Sequence, residues 1–347
     1  MAHLRINVDD YRYRMMIGVG GIGAGRYFAL KGNHTLGREE SRLGHFLPGR
    51  DYCKLHIISH YVKKLLGPHF AALLVGKVGD DEAGRQLLAE MEQTGLDTRY
   101  VQVCSDAPTL YSLCFIYPDL TGGNLTTDDS ACTRLTPADV ARAEHEIAGY
   151  AGRGIVLAAP EVPLPAREKL LQLGTAHGFF RAASFVTDEM QPAIDSGLLR
   201  MVDLLAINQD EAAVAAGIDV ESASPEAVVK AAVEKLSAIN PAMRLSITAG
   251  RQGSWSWDGK ELAHVPSIPV KAVSTGGAGD AHLAGTLAGL VAGLDLPKAQ
   301  ELGTLVAAAS VTSPHTIHPE IDGDFLQSFA AGLPISLSAE VRSLLGE

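Results

Sequence analysis

A loop of small residues stands before an apolar helix late in the chain, and an aspartate follows it. Thr275 leads into residues 276–279, a run of glycine and alanine, and Asp280 comes next. Small residues let the backbone approach a ligand and leave the first N–H groups of the helix free, and these groups favour an anion. Because a carboxylate beside an anion is electrostatically unfavourable, we expect Asp280 to be a base that acts next to a phosphate. A glycine-rich turn with an aspartate cap is the alternative.

Asn208 and Glu211 form a second candidate site, directly after a predicted strand at 204–207. Open α/β sheets bind their ligands at the carboxyl ends of strands. Residues three apart on a first helical turn face the same way, so both side chains could hold a hydrated Mg²⁺ beside phosphates. A capping box, in which Asn caps the helix and Glu caps back, fits the same two residues.

Thr248, Gly250 and Gly253 follow the next predicted strand. Glycines at this place allow a tight turn whose amide groups could line a phosphate tail. An ordinary β-hairpin that leads into residues 254–257 is the alternative, and for this segment taken alone it is the favoured interpretation.

Residues 18–23 have the spacing of the dinucleotide motif GxGxxG, and Glu39 and Glu40 follow about twenty residues later. A dinucleotide-binding unit needs a helix that begins within the motif, and Gly32 interrupts the candidate at 26–30. A closely packed strand end is the favoured interpretation. An oxidoreductase that uses NAD is therefore the least favoured function.

Charge and composition narrow the class of protein. The net charge of −11 over 347 residues disfavours binding to nucleic acids or to anionic membranes. Apolar runs fall short of the ~18 residues that span a membrane, and residues 1–14 are too polar for a signal peptide. The cysteines are too widely spaced for a zinc site or a disulfide framework. We expect a cytoplasmic protein with a small-molecule substrate.

Predicted helices and strands alternate regularly after residue 135. This alternation predicts one α/β domain over 1–347, with a mostly parallel sheet covered by helices on both faces. Two segments, at about 30–50 and 107–127, fall outside the alternation. We expect a small appendage of strands there.

Taken together, these motifs resemble the PfkB (ribokinase-like) family of small-molecule kinases, and the resemblance extends over most of the chain. The matching segments are 75–84 for the N-terminal half of the family, Asn208 and Glu211 for its NxxE motif, 248–253 for TxGxxG and 277–280 for GAGD. Several moderately specific motifs in the right order are stronger than any one of them.

The resemblance implies a ribokinase-like fold with a β lid made by the two excursions, and transfer of the γ-phosphoryl group of ATP to a hydroxyl. Asp280 would orient or deprotonate this hydroxyl, and the amides beside it would stabilise the transferring group. Mg²⁺ would be held through water near Asn208 and Glu211. The residues implied in the anion loop are Gly277, Ala278 and Gly279, and those implied for the nucleotide are Asn208, Glu211, Thr248, Gly250, Gly253 and Thr275.

The sequence departs from the family pattern in two places, one at the expected monovalent cation site and one at the expected site of the phosphoryl acceptor. Ser274 stands where the family usually has an Asp that helps to form a monovalent cation site, which leaves activation by K⁺ open. The family's N-terminal substrate signature, an Asp after the first strand and then a GG…N turn, is not recognisable. Arg26, Arg50 and Asp51 are candidates to bind a charged or unusual polyol instead.

The sequence thus predicts an ATP-dependent kinase with a sugar or sugar derivative as acceptor. A nucleoside is the second choice. A relative that binds a nucleotide or a sugar without turnover is the alternative from another class. Because exposed strands often pair, we also expect a homodimer through the β lid.

Overall fold

The computed structural model describes residues 3–119, 121–220 and 222–347, which form two β-sheets flanked by helices. The strands are β1 (Met15–Val19), β2 (Gly23–Leu30), β3 (Gly44–Tyr52), β4 (Ala71–Gly79), β5 (Asp97–Cys104), β6 (Leu110–Ile116), β7 (Gly122–Thr126), β8 (Gly154–Ala158), β9 (Phe180–Ser184), β10 (Leu204–Asn208), β11 (Arg244–Thr248), β12 (Ser254–Trp257) and β13 (Leu262–Val265). The helices are α1 (Lys54–Leu66), α2 (Glu82–Thr94), α3 (Pro137–Ala141), α4 (Glu144–Gly149), α5 (Leu164–Ala176), α6 (Thr187–Asp195), α7 (Gln209–Ala216), α8 (Pro225–Ile239), α9 (Ala278–Val291), α10 (Leu296–Ser310), α11 (Gly323–Ala331) and α12 (Ala339–Leu345).

The large sheet has nine strands in the order β13-β12-β11-β10-β9-β8-β1-β4-β5. All neighbours from β11 to β5 are parallel, and β12 and β13 add an antiparallel edge. The mostly parallel sheet predicted from the sequence is therefore confirmed. The central strands β1, β8 and β10 are almost continuous apolar runs, as expected of parallel strands covered by helices on both faces.

Alternate residues of each strand enter two separate hydrophobic cores. In β1, Met16 packs with one core, and Met15 and Ile17 pack with the other. The first core is closed by α1, α2 and α9 to α12, and the second by α3 to α8. This two-residue period buries all of β1, and the parallel pairing of the strands places their carboxyl ends at one edge of the sheet.

A second sheet, the small sheet, has the order β3-β2-β6-β7. β2 and β6 run parallel, and each carries an antiparallel neighbour at its outer side. Its first strand begins at Gly23, earlier than the predicted excursion at about 30–50, and residues 31–43 connect β2 to β3. β2 can pair with β6 from this early residue because it is a glycine: a Cβ atom on Gly23 would lie 2.5 Å from the Leu110 carbonyl oxygen of β6.

The glycine motif at 18–23 is a packing feature. Cβ atoms on Gly20 and Gly21 would lie 2.7 Å from the Cβ of Ala159 and 2.5 Å from the Cβ of Glu161. A strand, β2, follows the motif where a dinucleotide fold requires a helix. The closely packed strand end expected from the sequence is what the structure shows.

Among the described residues, every helix is too short or too polar to cross a bilayer.

Candidate active site

Three sequence motifs meet at the carboxyl edge of the large sheet. Asn208 ends β10 and Thr248 ends β11, and the two residues are register partners in this parallel pair. The Thr248 hydroxyl lies 3.8 Å from the position of a Cβ atom on Gly279, in the first turn of α9. The topology therefore brings together segments that are about seventy residues apart, at the edge where open sheets bind ligands.

The N-terminus of α9 is open. Gly277 is its N-cap, with φ of 75°, and provides no capping side chain. The Ala281 N–H donates to the Gly277 carbonyl at 2.9 Å, which starts the helix, and before it the Ala278 N–H donates to the Thr275 carbonyl at 3.3 Å. Thr316 packs behind the loop, 2.9 Å from where a Cβ on Gly277 would lie. Glycine is needed here both for the left-handed conformation and for space.

Asp280 lies in the first turn of α9 and is only 8% exposed. Its Oδ1 is 3.5 Å from the Nζ of Lys54. Burial raises the pKa of the Asp280 carboxyl, Lys54 opposes the rise, and Asp51 adds to it. A buried carboxylate at an uncapped helix N-terminus is placed to accept a proton from a group beside a bound anion.

Lys54 is a site residue that the sequence analysis missed. It is the first residue of α1, and its side chain is 25% exposed. Burial disfavours its charge, but Asp280, Glu211 and Glu161 together outweigh burial and raise the pKa of the Lys54 ammonium to about 12. Lys54 therefore stays protonated, and its positive charge interacts favourably with the negative charges of these three carboxyl groups.

Glu161 is the second missed residue. It follows β8 at the carboxyl edge, with φ of 73°, and its buried Oε2 has no hydrogen-bond partner. Burial raises the pKa of the Glu161 carboxyl to about 7, against the lowering effects of Cys53 and Lys54. A buried carboxyl oxygen without a hydrogen-bond partner, on a residue of positive φ at a strand end, points to a ligand. Its place directly after a predicted strand was the available signal.

Asp51 faces the same space from the small sheet. It is 9% exposed, and its Oδ2 accepts hydrogen bonds from Ser112 at 2.6 Å and from the Cys114 thiol at 3.3 Å. Burial raises the pKa of its carboxyl. Its register partner in β2 is Gly25, near the position where the sequence lacks the family's aspartate. The Ser112 hydroxyl fills the space beside Gly25 and donates its hydrogen bond to Asp51 from there.

The two arginines predicted to accompany Asp51 lie on the other face of the small sheet. Arg26 and Arg50 are register partners, so their side chains point to one side, and Asp51 alternates to the opposite side. Arg26 is exposed, with its guanidinium 4.1 Å from the centre of the Phe46 ring. Arg50 donates to Glu90 at 2.7 Å. The structure does not bring the three predicted acceptor residues into one cluster.

Asn208 and Glu211 form the capping box that the sequence analysis gave as an alternative. The Glu211 N–H donates to the Asn208 side chain at 2.9 Å, and Glu211 Oε2 accepts from the Asn208 N–H at 2.8 Å. Burial raises the pKa of the Glu211 carboxyl, with Lys54 and the Asn208 N–H opposing. These oxygens are of the type that Mg²⁺ prefers, and a water-mediated contact is compatible with the cap.

The segment at 248–253 combines the two alternatives considered for it. Gly250 has φ of 52°, in a short 3₁₀ turn, and open space surrounds its Cβ position. Gly253 has φ of 90°, and a Cβ there would lie 2.2 Å from the Val265 carbonyl oxygen. Gly253 thus belongs to the hairpin turn between β11 and β12, where it packs against the end of β13, and Gly250 leaves a free approach to the end of β11.

The head of the anion loop contacts the small sheet. A Cβ on Gly276 would lie 2.0 Å from the Tyr27 hydroxyl of β2. The Ser274 hydroxyl accepts from the Gly276 N–H at 3.4 Å. Activation by K⁺ stays an open prediction, and Thr275, whose carbonyl accepts from the Ala278 N–H at 3.3 Å, remains a candidate for the nucleotide side.

Residues 58–322 match the family described as pfkB family carbohydrate kinase. The chain belongs to this family. Its members are phosphotransferases that act on an alcohol group. The matched segment includes every motif from Asn208 to Asp280, and it begins after Asp51 and Lys54. The N-terminal divergence expected from the sequence lies in the unmatched part.

Known relatives agree with this assignment. A ribokinase of Staphylococcus aureus is 28% identical over 214 residues, which span 60% of this chain and 65% of that protein, just under two thirds of its length. Ribokinase from Cryptococcus neoformans in complex with ADP has a TM-score of 0.74 at 18% identity, over 92% of this chain and 99% of that one. Adenosine kinase from Sinorhizobium meliloti has a TM-score of 0.69 at 18% identity, over 92% and 98%. The ribokinase-like fold is thereby established.

Proposed function

We propose that the protein transfers the γ-phosphoryl group of ATP to a hydroxyl of a sugar or sugar derivative, with Asp280 as the base. The observation that carries the proposal is the buried Asp280 carboxylate at the uncapped N-terminus of α9. The amides of Gly277, Ala278 and Gly279 stabilise the charge of the transferring group, and Asp280 takes the proton of the acceptor. Catalysis of this kind is mainly positioning and electrostatics.

The nucleotide lies along the carboxyl ends of β10 and β11. Thr248, Gly250, Gly253 and Thr275 line its phosphates, and the similarity to an ADP-bound ribokinase supports an adenine nucleotide. Asn208 and Glu211 would hold a hydrated Mg²⁺, which would neutralise the charge of the phosphates. Because the two residues form a capping box with each other, they would contact the ion through water.

The acceptor lies between the small sheet and Asp280. Asp51 and Glu161 supply carboxylate oxygens there, which accept hydrogen bonds from hydroxyl groups. Arg26 and Arg50 point to the other face, so a phosphate or carboxylate on the acceptor would meet two buried carboxyl groups instead. We therefore propose an uncharged, hydroxyl-rich acceptor, held by the small sheet acting as a lid.

Two alternative functions can be weighed against specific observations. The similarity in fold to an adenosine kinase favours a nucleoside as the second acceptor class. A binding protein without turnover would agree with the departures before residue 58, but the geometry of Asp280 argues against it.

An ADP-release screen tests the proposal. Purified protein with MgATP would be tested with aldoses, ketoses, alditols, nucleosides and sugar phosphates, with and without K⁺, and the product identified by ³¹P NMR. We expect turnover with an uncharged polyol or sugar. Turnover with sugar phosphates alone would refute the acceptor class, and saturable ATP binding without transfer to any acceptor would refute the kinase function.

A further inference from the structure

The ammonium of Lys54 is loosely held at the place where acceptor and phosphoryl group meet. Its Nζ is 3.5 Å from Asp280 Oδ1, longer than the about 2.7–2.9 Å of a tight charge-assisted hydrogen bond. Its ion pair is with Asp280, and the negative charges of Glu211 and Glu161, which belong to other parts of the fold, stabilise it further. At this distance from Asp280 the ammonium keeps room to donate a hydrogen bond to a ligand as well.

We propose that Lys54 is a further residue that binds the acceptor. Its ammonium donates a hydrogen bond to the same hydroxyl oxygen whose proton passes to Asp280. The proposal rests on the proposed function, because it concerns the hydroxyl that is phosphorylated.

The hydrogen-bonding capacity of a hydroxyl group explains why this matters. A hydroxyl has one donor and two lone pairs. When it donates to Asp280 and accepts from Lys54, only one lone pair remains, and its direction is fixed toward the phosphorus atom. In the step, the acceptor O–H bond breaks and its proton moves to Asp280. The oxygen forms a bond to the γ-phosphorus, and the bond to the bridging oxygen breaks, so that ADP leaves with the electron pair. Lys54 keeps its proton throughout.

The charge around Asp280 gives Lys54 a second effect. The ionisable groups that face Asp280 come from every element packed around it: Lys54 and Tyr61 of α1, Tyr27 of β2, Asp51 of β3, Glu161 after β8 and Glu211 of α7. Three of these six groups, Asp51, Glu161 and Glu211, are carboxyls whose negative charge adds to the cost of a negative Asp280, the two tyrosines are neutral at neutral pH, and Lys54 is the cation among the six. Removing the ammonium should therefore move the acid limb of the pH–rate profile to higher pH.

Three substitutions separate hydrogen bonding from charge. Lys54→Met removes both, Lys54→Gln keeps a donor without charge, and Lys54→Arg keeps both in a different shape. Lys77→Met is the matched control, because Lys77 forms a comparably buried ion pair with Asp139 at 2.9 Å outside the site.

We expect Lys54→Met to lower kcat/KM for the acceptor by about 100-fold or more, the scale for losing one oriented donor to a reacting oxygen. Lys54→Gln should retain about tenfold more activity than Lys54→Met, and Lys54→Arg should keep the wild-type acid limb. The Kd for ADP should stay within about threefold in all variants, and Lys77→Met should behave as wild type. If Lys54→Met fails to fold, Lys54→Met with Glu161→Gln restores the charge balance and is compared with Glu161→Gln alone.

The outcomes are distinguishable. Unchanged kcat/KM in folded Lys54→Met overturns the proposal, and equal losses in the Met and Gln variants reduce Lys54 to a counter-ion and also overturn it. If the wild-type protein phosphorylates no acceptor, the proposed kinase function fails. Calorimetry with D-ribose, D-fructose and myo-inositol in the presence of ADP then decides: binding that weakens in Lys54→Met but not in Lys77→Met supports Lys54 as an acceptor ligand, and any other result contradicts it.

Discussion

At the scale of single residues, the site consists of several buried carboxyl groups around one ammonium group. Asp280, Asp51, Glu161 and Glu211 are carboxyl groups whose pKa values burial raises, and one ammonium, Lys54, serves three of them. Such an excess of carboxyl groups is costly for folding. It is expected where a site must accept protons and hydrogen bonds from a ligand, and two predictions follow from individual members.

Asp280→Asn should abolish phosphoryl transfer while the nucleotide still binds. The amide keeps the shape of the side chain but cannot accept the proton, and general bases contribute roughly 10²–10⁴-fold to rate. We expect kcat to fall by about 10³-fold and the Kd for ATP to change by less than about threefold. The exposed Asp210 of α7 provides the control, since Asp210→Asn should keep kcat. A kcat near that of wild type in Asp280→Asn would remove Asp280 from the mechanism.

Glu161→Gln should stabilise the fold at pH 8 but not at pH 4. The pKa of Glu161 rises from 4.5 to about 7 on folding, so between these values the folded protein keeps a proton that the unfolded chain has released. The free energy of unfolding therefore falls as the pH rises through this window, by at most roughly 3 kcal/mol. A neutral Gln at this position avoids the loss. Urea unfolding at both pH values measures it.

Glu234→Gln, at an exposed position of α8, is the control for the loss of one formal charge. An equal difference between Glu161→Gln and wild type at pH 4 and pH 8 would contradict the assignment of the shift to Glu161.

At the scale of elements, local patterns predicted the fold well because each strand and helix carries its own signal. The apolar run of β10 followed by Asn208 and Glu211, or that of β11 followed by Thr248, is readable from neighbouring residues alone. Lys54 carries no such local signal, and Glu161 carries only its position after the apolar run of β8. They belong to α1 and to the segment after β8, and only the tertiary packing of those elements against α9 brings them to Asp280.

The small sheet shows a second feature that neighbouring residues in the sequence could not predict. Gly25 and Asp51 are twenty-six residues apart and meet only because β2 and β3 pair in one register. The sequence analysis grouped Asp51 with Arg26 and Arg50 because all three are polar and lie near the missing signature. Strand alternation sends them to opposite faces, and this depends on a register that the sequence does not state.

The anion loop yields a prediction that belongs to the element. Gly277→Ala should lower kcat by about tenfold or more, because alanine disfavours φ of 75° and its Cβ would collide with Thr316, displacing the amides of the first turn. Gly293→Ala is a matched control: Gly293 has φ of 85°, and no atom lies within 4 Å of its Cβ position. Both variants should lose about 1 kcal/mol of stability from backbone strain, but only Gly277→Ala should lose activity. Equal kcat in the two variants would contradict a catalytic role for the loop geometry.

At the scale of the whole molecule, the small sheet offers an apolar outer face. Phe46 and Leu125 are 48% and 57% exposed there, and Leu113, the register partner of Leu125, shares the face with Arg26. β3 and β7 are its edge strands. We propose that this face contacts a second copy of the chain, since large exposed apolar side chains on a sheet with open edges favour self-association.

The combined substitutions Phe46→Asp and Leu125→Asp should convert a dimer to a monomer in sedimentation equilibrium, because each charge would be buried in the contact without a partner. Val103→Asp, at a 54% exposed position on the edge strand β5 of the large sheet, should leave the dimer intact. A wild-type protein that sediments as a monomer at all concentrations would exclude the contact.

The order of the site along the chain has an evolutionary consequence. Asp51, Lys54 and Glu161 all precede residue 162, and the residues proposed to bind ATP and Mg²⁺ and to transfer the phosphoryl group all follow residue 207. The two groups therefore occupy separate blocks of sequence. Mutation or recombination in the first block can therefore change which alcohol is recognised without disturbing the donor machinery, and a chimaera that exchanges residues 20–56 with a relative should change its preferred alcohol while it keeps its affinity for the nucleotide.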